Sequence, residues 1–281
     1  VSEAVDELLN NSTVPSPPLR DYGLLQDDDG VLYDDLGVAR GQTWVNDPNL
    51  ASADVIRGSI NRARVASLKK WWAGLIINQG RGVQEKMVLF WHHHYAVQES
   101  EIGNAAFLYR HHNLLRSSAL GNVKTLAREV TIDPAMLVHL NGYLNSKQAP
   151  DENFARELQE LFTIGIDATT SYTENDVIAA ARVLTGWRII DNPLSSYLSV
   201  GEHDTGSKTF SSFYNNTTIA GSTNPDQELD ALMNMIFNNA EAAKFIVRKL
   251  YRWFVYYDID DATEANVIAP LAAILRSSNY E

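Results

Sequence analysis

Histidine is unevenly distributed along the chain. Five of the seven histidines lie within 21 residues, at positions 92–94 and 111–112. Imidazole is the commonest metal ligand in proteins and titrates near neutral pH, so this clustering indicates a functional site. Successive residues of a helix point about 100° apart, and at most one of the adjacent triplet therefore faces any one site. We predict His92, His94 and His111 as candidate ligands of a divalent metal of undetermined identity; the alternative is a set of hydrogen-bonded core histidines.

Glu157 is a carboxylate at the edge of the apolar face of its helix. A carboxylate in that position is partly buried, so it needs a partner or acquires a raised pKa. We therefore predict Glu157 as a catalytic acid, with a structural ion pair as the alternative. Its neighbour Arg156 lies four residues from both Glu152 and Glu160, which is the spacing of a surface ion-pair ladder.

A histidine, a carboxylate and an ammonium group lie within six residues in the segment His203-Asp204-x-Gly206-x-Lys208. This combination in a loop before a strand is more typical of ligand contact than of packing. The alternative is a tight turn in which Asp204 bonds its own backbone. We predict His203 and Asp204 as catalytic residues, and Lys208 as a substrate-binding residue.

Composition excludes several classes of protein. The 281 residues include no cysteine, which excludes disulfides, thiol nucleophiles and cysteine-bound zinc. No apolar run of about 18 residues is present, so no membrane span is predicted. The net charge of -12 argues against a nucleic-acid binder, which needs a basic face. The sequence also lacks the serine-hydrolase elbow, the P-loop, the dinucleotide fingerprint and the zinc-protease motif.

The charge changes sign along the chain. Residues 1–54 hold 11 acids and 2 bases, whereas residues 55–125 hold 10 bases and 3 acids. A cationic segment in an acidic protein attracts anionic ligands, or it neutralises the acidic segments around it. We predict an acidic N-terminal helix and loop segment over residues 1–55 and a single helical domain over residues 56–281, and we interpret the chain as a fragment of a longer protein.

Helix signals dominate the sequence. Apolar periodicity and capping residues predict helices that begin at or near residues 2, 52, 84, 104, 122, 133, 151, 173, 224, 240 and 270. Between residues 187 and 221 the pattern changes to short β-rich pieces separated by turn residues. The predicted fold is mainly α, an irregular multi-helix array with a small β-hairpin insertion around 187–221.

Seven ordered blocks carry a family resemblance. They are KMVLFWHHHYAV, YRHHNLLRSSALGN, DPAMLVHLNG, DENFARELQELFTIG, YTENDVIAAARVLTGWR, HDTGSKTF and RKLYRWFV. From about residue 60 to the end, the chain resembles the bacterial domain-of-unknown-function family numbered 1800. The family motif W-H-N-H-F falls on residues 91–95, where His93 and Tyr95 depart from it. N-E-N-F-A-R-E falls on residues 151–157 with Asp151 as the departure, and H-D-x-G-x-K-T-F is intact at 203–210.

The resemblance implies a shared pocket and a secreted or envelope location, but no settled activity. Asn153, Arg156 and Arg182 join Lys208 as predicted substrate-binding residues, because an arginine can bind an anionic group with two hydrogen bonds. The function hypothesis is a periplasmic or extracellular enzyme, a metal-assisted hydrolase acting on an anionic or carbohydrate ligand. The alternative is a non-enzymatic glycan-binding or assembly module whose histidines, arginines and glutamates form a structural polar network. The oligomeric state stays open.

Overall fold

A computed structural model describes residues 2–10, 14–26, 29–49, 54–166 and 172–281. Within these ranges the fold is mainly helical and its strands form small two-stranded sheets, which confirms the predicted fold class. No helix in these ranges is both long enough and apolar enough to cross a membrane.

The elements follow one another in a fixed order along the chain. The helices are α1 (Ser2–Asn10), α2 (Asp54–Asn78), α3 (Gln84–His94), α4 (Glu99–Ile102), α5 (Ala105–Ser117), α6 (Val123–Thr131), α7 (Pro134–His139), α8 (Glu152–Glu157), α9 (Glu174–Val183), α10 (Pro225–Asn238), α11 (Ala240–Phe254), α12 (Asp261–Thr263) and α13 (Ala269–Ser277). The strands are β1 (Leu25–Gln26), β2 (Leu32–Tyr33), β3 (Trp187–Asp191), β4 (Leu194–Leu198), β5 (Lys208–Thr209) and β6 (Thr218–Ile219). They pair as β1–β2, β3–β4 and β5–β6, so the predicted β insertion consists of two hairpins.

Helix starts follow the local capping rules. The side chains of Asn104 and Asn122 accept hydrogen bonds from the first backbone N–H groups of α5 and α6. Thr173 and Asp176 form a capping box at the start of α9, each bonding the backbone N–H of the other. Because these bonds use residues only a few positions apart, the sequence alone predicts where the helices begin.

The helix that starts at Asp151 does not run unbroken to Gly165. It changes after α8 into a π-helical turn over Leu158–Thr163, where Thr163 Oγ1 donates to the Leu158 carbonyl oxygen at 2.6 Å. The apolar periodicity predicted one regular helix. Periodicity does not distinguish the wider π-helical turn from a regular helix, because the apolar residues stay buried when the turn has an extra residue.

The chain folds into two compact units. The first unit comprises residues 1–120 and 190–195, and the second comprises residues 121–189 and 196–281. In the first unit, α5 packs against α2 and α3. A hydrophobic core forms there around Trp44, Val65 and Leu68, with Trp71 and Tyr109 packed against it.

A buried arginine of α2, Arg64, forms ion pairs with acids of the N-terminal segment. The guanidinium of Arg64 is 1% exposed and donates to both carboxylate oxygens of Asp35 at 3.0 Å and to Asp47 at 2.8 Å. A buried charge of this kind is stable only with its partners in place. The predicted boundary at residue 55 therefore falls between residues that share one ion-pair network.

The second unit is built from α6–α13 and the β5–β6 hairpin. Helix α9 packs on α8, α10 packs on α6, and α13 packs on α11. Its fully buried residues come from several of these helices: Leu126, Met136, Phe154, Val177, Leu232 and Ile246. Near the end of the chain, the Tyr280 carbonyl oxygen accepts from the Val123 N–H at 2.9 Å, which ties the last residues to α6.

Candidate functional site

The second unit contains a group of polar side chains, four buried and two half-buried, that we call the buried charge cluster. Its members come from the end of α9, the 203–208 loop and the first turn of α10: Arg182, Thr185, His203, Asp204, Lys208 and Glu228. Four of the predicted site residues belong to it, so this part of the predicted site is assembled in one place. Thr185 and Glu228 were not predicted.

His203 is buried at the centre of this cluster. Its Nδ1 lies 2.9 Å from the carbonyl oxygen of Thr185 and donates to it, because a carbonyl oxygen can only accept. Its Nε2 lies 3.2 Å from Oε1 of Glu228, at ion-pair distance but outside hydrogen-bond geometry. Both side chains are almost completely inaccessible to solvent. The imidazole is therefore held between a backbone carbonyl and a carboxylate of its own chain.

Lys208 and Glu228 form an ion pair in the interior. The Lys208 side chain is 0% exposed and that of Glu228 is 1% exposed. Lys208 Nζ donates to Oε2 of Glu228 and to the carbonyl oxygen of Asp204, while Oε1 of Glu228 accepts from the Ser222 N–H at 2.6 Å. Each charge thus has acceptors or donors from within the protein, which is the condition for an ion pair to persist away from water.

Asp204 is paired with Arg182. The guanidinium Nε donates to Oδ2 at 2.7 Å and Nη2 donates to Oδ1 at 3.1 Å. These bonds hold the pKa of Asp204 below its usual value, with the Gly206 backbone N–H contributing further. That N–H donates to Oδ1 of Asp204 at 2.8 Å, so the tight turn that was the alternative interpretation of this segment is present.

Two glycines let the loop approach the cluster closely. A Cβ added at Gly206 would lie 2.8 Å from Nη2 of Arg182, and one at Gly221 would lie 1.9 Å from the carbonyl oxygen of Thr205. The second distance is far inside van der Waals contact with a backbone atom. The loop geometry consequently depends on glycine at position 221.

The remaining predicted residues of the second unit have other surroundings. Glu157 is half-buried, and burial together with Glu160 raises its pKa while His139 and Arg156 oppose the shift. Arg156 pairs with Glu174, which was not predicted, and lies 3.7 Å from Glu152, one of the two acids of the predicted ladder. The Asn153 side chain is exposed. This helix therefore presents its polar residues on the surface of the unit, apart from Glu157.

The predicted metal ligands all lie in the first unit. His111 is buried and its Nε2 lies 2.9 Å from the Tyr95 carbonyl oxygen. His94 is buried and stacks on Phe90, with an interplanar angle of 8°. Among the residues that the structure describes, no group of three or more His, Asp or Glu side chains is arranged to bind a metal ion. A metal at His92, His94 and His111 thus stays a prediction without a three-ligand geometry.

His92 has a different neighbour, His112. We call Trp72, His92 and His112 the histidine–tryptophan cluster. The indole of Trp72 lies 4.8 Å from the His92 ring and 4.5 Å from the His112 ring, and the two imidazoles lie 6.4 Å apart between centroids. Burial lowers the pKa of His92 to about 4, and burial followed by the Arg116 charge lowers the pKa of His112 to about 2. Both imidazoles are consequently neutral at physiological pH.

An ion pair borders this cluster. The guanidinium of Arg116 donates two hydrogen bonds of 2.6 Å to the carboxylate of Glu85, and both side chains are buried. Nε1 of Trp72 lies 3.3 Å from Oε2 of the same carboxylate. The pair balances its own charge, and it fixes the indole next to the imidazoles.

The residues that were missed carried a signal in the sequence. Glu228 lies four residues before Leu232, and Glu85 lies three residues before Val88, so each is on the apolar face of its helix. An acid on an apolar face predicts a buried partner. The identity of that partner is not predictable from spacing, because Glu228 pairs with Lys208 and Glu85 pairs with Arg116 from other parts of the chain.

Two concave surfaces lie away from the predicted site residues. A cavity of about 680 Å³ in the first unit is lined by residues of the segments 33–37 and 47–49 together with Ile56 and Ile60. A groove of about 670 Å³ in the second unit is lined by residues of α11, α13 and the segments next to them. None of the predicted site residues lines either of these two surfaces.

Comparison with known proteins identifies a family. The sequence model described as "Protein of unknown function (DUF1800)" matches residues 2–281, which includes the N-terminal segment that the resemblance had left out. No curated protein and no solved structure matches the chain.

Proposed function

We propose, from the premise that the chain belongs to the DUF1800 family, that it works as a non-enzymatic assembly module. The observation that carries this proposal is that each charged side chain of the buried charge cluster is paired with another side chain of the cluster. Its histidine, lysine, arginine and carboxylates are hydrogen-bonded or ion-paired to one another and to nearby backbone groups. The family motifs at 203–210 and around Arg182 then serve to hold the loop and the helices together.

A hydrolase would need different properties from the same residues. A general acid or base must reach a proton on the substrate at hydrogen-bond distance. His203, Lys208 and Glu228 are each at most 1% exposed, and the acceptor or donor atoms around them belong to the chain itself. A metal-assisted hydrolase acting on an anionic or carbohydrate substrate therefore has less support than an assembly role. The bacterial envelope or exterior remains the proposed location.

The surface proposed for assembly is the groove of the second unit, which we call the α11–α13 groove. It is lined by Val247, Leu250, Tyr251, Phe254, Val255, Val267, Leu271, Ile274, Leu275 and Glu281. Apolar side chains on it are exposed, among them Phe254 at 46%, Leu271 at 46% and Ile274 at 62%. Contiguous exposed apolar surface of this kind is typical of protein–protein contacts.

We assign the groove to a second copy of the same chain. A two-fold contact requires a self-complementary patch, in which a residue and its counterpart face each other twice. At the end of α11, Arg252 is exposed, and the exposed acids Asp258, Asp260 and Asp261 follow directly. A two-fold axis at this end places the base of one copy opposite the acids of the other. The apolar floor supplies the buried area, and the charges select the orientation.

Sedimentation velocity of the full chain over a range of concentrations tests this assignment. We expect the wild type to form a dimer that Leu271→Glu converts to a monomer, because the new carboxylate would be buried without a partner. Leu144→Glu is the matched control, since Leu144 is 60% exposed and lies outside the groove. A wild type that is monomeric throughout, or a Leu271→Glu variant as dimeric as the control, overturns the proposal.

A further inference from the structure

The histidine–tryptophan cluster contains two ring nitrogens for which the described part of the chain offers no hydrogen bond. Nδ1 of His92 and Nε2 of His112 are buried, and neither has a hydrogen-bond partner among the described residues. His112 is only 3% exposed. Buried polar atoms are normally satisfied, so these two nitrogens are candidates for a bond to a ligand or an ion.

These nitrogens are available as ligands. A histidine binds a metal through its neutral imidazole, and protons compete with the metal for the same lone pair. Burial lowers the pKa of both rings, and the positive charge of Arg116 lowers that of His112 further. Arg116 itself is neutralised by Glu85, so the cluster adds no unbalanced positive charge against an incoming cation.

The separation of the rings indicates the coordination number. With metal–nitrogen bonds of about 2.0 Å, two imidazoles on opposite sides of an ion have centroids about 6.3 Å apart, and two ligands at a tetrahedral angle have centroids about 5 Å apart. The observed distance is 6.4 Å. It matches linear two-coordination, which Cu⁺ and Ag⁺ adopt and Zn²⁺ does not. The part of the chain that the structure describes also offers no third His, Asp or Glu to complete a larger set.

Trp72 provides a second attraction for a cation. Its distances of 4.8 Å and 4.5 Å from the two imidazoles place the point midway between them about 3.4 Å from the indole centroid. A cation within about 6 Å of an indole is attracted by the ring's negative face. The indole therefore lies at the distance where it would stabilise an ion held between the two histidines.

We infer that His92 and His112 form a two-coordinate site for a soft monovalent metal ion, Cu⁺ or its analogue Ag⁺, beside the indole of Trp72. The site differs from the predicted divalent centre in its metal, and it keeps only His92 of the three predicted ligands, because His94 and His111 make other contacts. It is independent of the proposed assembly function, since its residues all belong to the first unit.

Titration of the full chain with Ag⁺ in chloride-free buffer, followed by calorimetry and tryptophan fluorescence, tests the site. We expect one Ag⁺ per chain with quenched emission, and Cu⁺ retained against a chromophoric chelator under anaerobic conditions. His92→Phe and His112→Phe should each weaken binding at least tenfold. His93→Phe is the matched control, because His93 is exposed and adjacent to His92. Equal binding by all three variants would assign the silver to methionine sulfur and overturn the inference.

A measurement on the unaltered chain covers the case in which a variant does not fold. With ¹⁵N-labelled histidine, Nδ1 of His92 and Nε2 of His112 should both shift on addition of Ag⁺ and show coupling to the silver nucleus. Zn²⁺ at the same concentration should bind at least tenfold more weakly. Unchanged resonances of these two nitrogens, or tighter binding of Zn²⁺, would contradict a linear site.

Discussion

The surroundings of the buried histidines differ between the two units. In the second unit, His203 lies between a carbonyl oxygen and a carboxylate, within a set of ion pairs that bond one another. In the first unit, His92 and His112 lie edge-on to an indole, and each has a ring nitrogen without a hydrogen-bond partner among the described residues. A network whose charges pair with one another fixes structure, whereas nitrogens without a hydrogen bond among aromatic rings retain the capacity to bind. The two clusters should therefore respond differently to substitution and to pH.

The largest expected effect comes from the removal of one charge from the buried charge cluster. Glu228→Leu leaves Lys208 buried without its carboxylate, and we expect the free energy of unfolding to fall by about 3–5 kcal/mol. Adding Lys208→Met should restore much of this loss, because both charges are then gone. Urea unfolding followed by circular dichroism measures both variants.

The matched substitution in the first unit is His112→Phe. It replaces a ring whose Nε2 has no hydrogen bond to any described residue by an apolar ring of similar shape. We therefore expect the free energy of unfolding to change by less than about 1.5 kcal/mol. A loss as large as that of Glu228→Leu would show that the contrast between the two clusters is wrong.

An intermediate effect is expected on the pH dependence of stability in the first unit. The pKa values of His92 and His112 are about 4 and about 2 in the folded chain, below the ordinary value of 6.5. The unfolded chain therefore binds protons first, and the stability from these residues is complete above pH 6.5 and declines as the pH falls toward 4. Urea midpoints measured from pH 7 to 4 should fall less steeply in His112→Phe than in the wild type.

In the second unit, the pair of Asp204 with Arg182 stabilises the fold over a different pH range. The Arg182 hydrogen bonds hold the pKa of Asp204 below its ordinary value of 3.8, so the stability from this pair is present above that pH and is lost only at lower pH. Asp204→Asn should lower stability at neutral pH and reduce the dependence on pH below 4. If the stability of Asp204→Asn below pH 4 depends on pH as steeply as that of the wild type, Asp204 does not contribute to acid unfolding.

The smallest effect is expected at the surface ladder. Arg156 pairs with Glu174 in an exposed position, and exposed ion pairs contribute little because solvent screens them. Arg156→Gln should leave the urea midpoint unchanged within error. A clear shift would mean that Arg156 has a partner or ligand that the pairing with Glu174 does not account for.

Local signals in the sequence predicted much of the fold. The caps Asn104, Asn122 and Thr173 and the turn-rich stretch at 187–221 gave the helix starts and the two hairpins, because such signals act over a few residues. The π-helical turn after α8 was not predicted, since its cause lies in packing around Leu158–Thr163 and not in periodicity.

Sequence spacing by itself determined that acids, histidines and arginines are placed on apolar helix faces and in a tight loop, and hence that they are buried. Only the tertiary structure decided their partners: Lys208 meets Glu228 and Arg182 meets Asp204 about twenty positions away, while Arg116 meets Glu85 and His112 meets Trp72 at greater separation. Burial follows from the composition of one face, a local property. The choice of partner depends on which faces of distant elements pack together, and no short window of sequence contains that information.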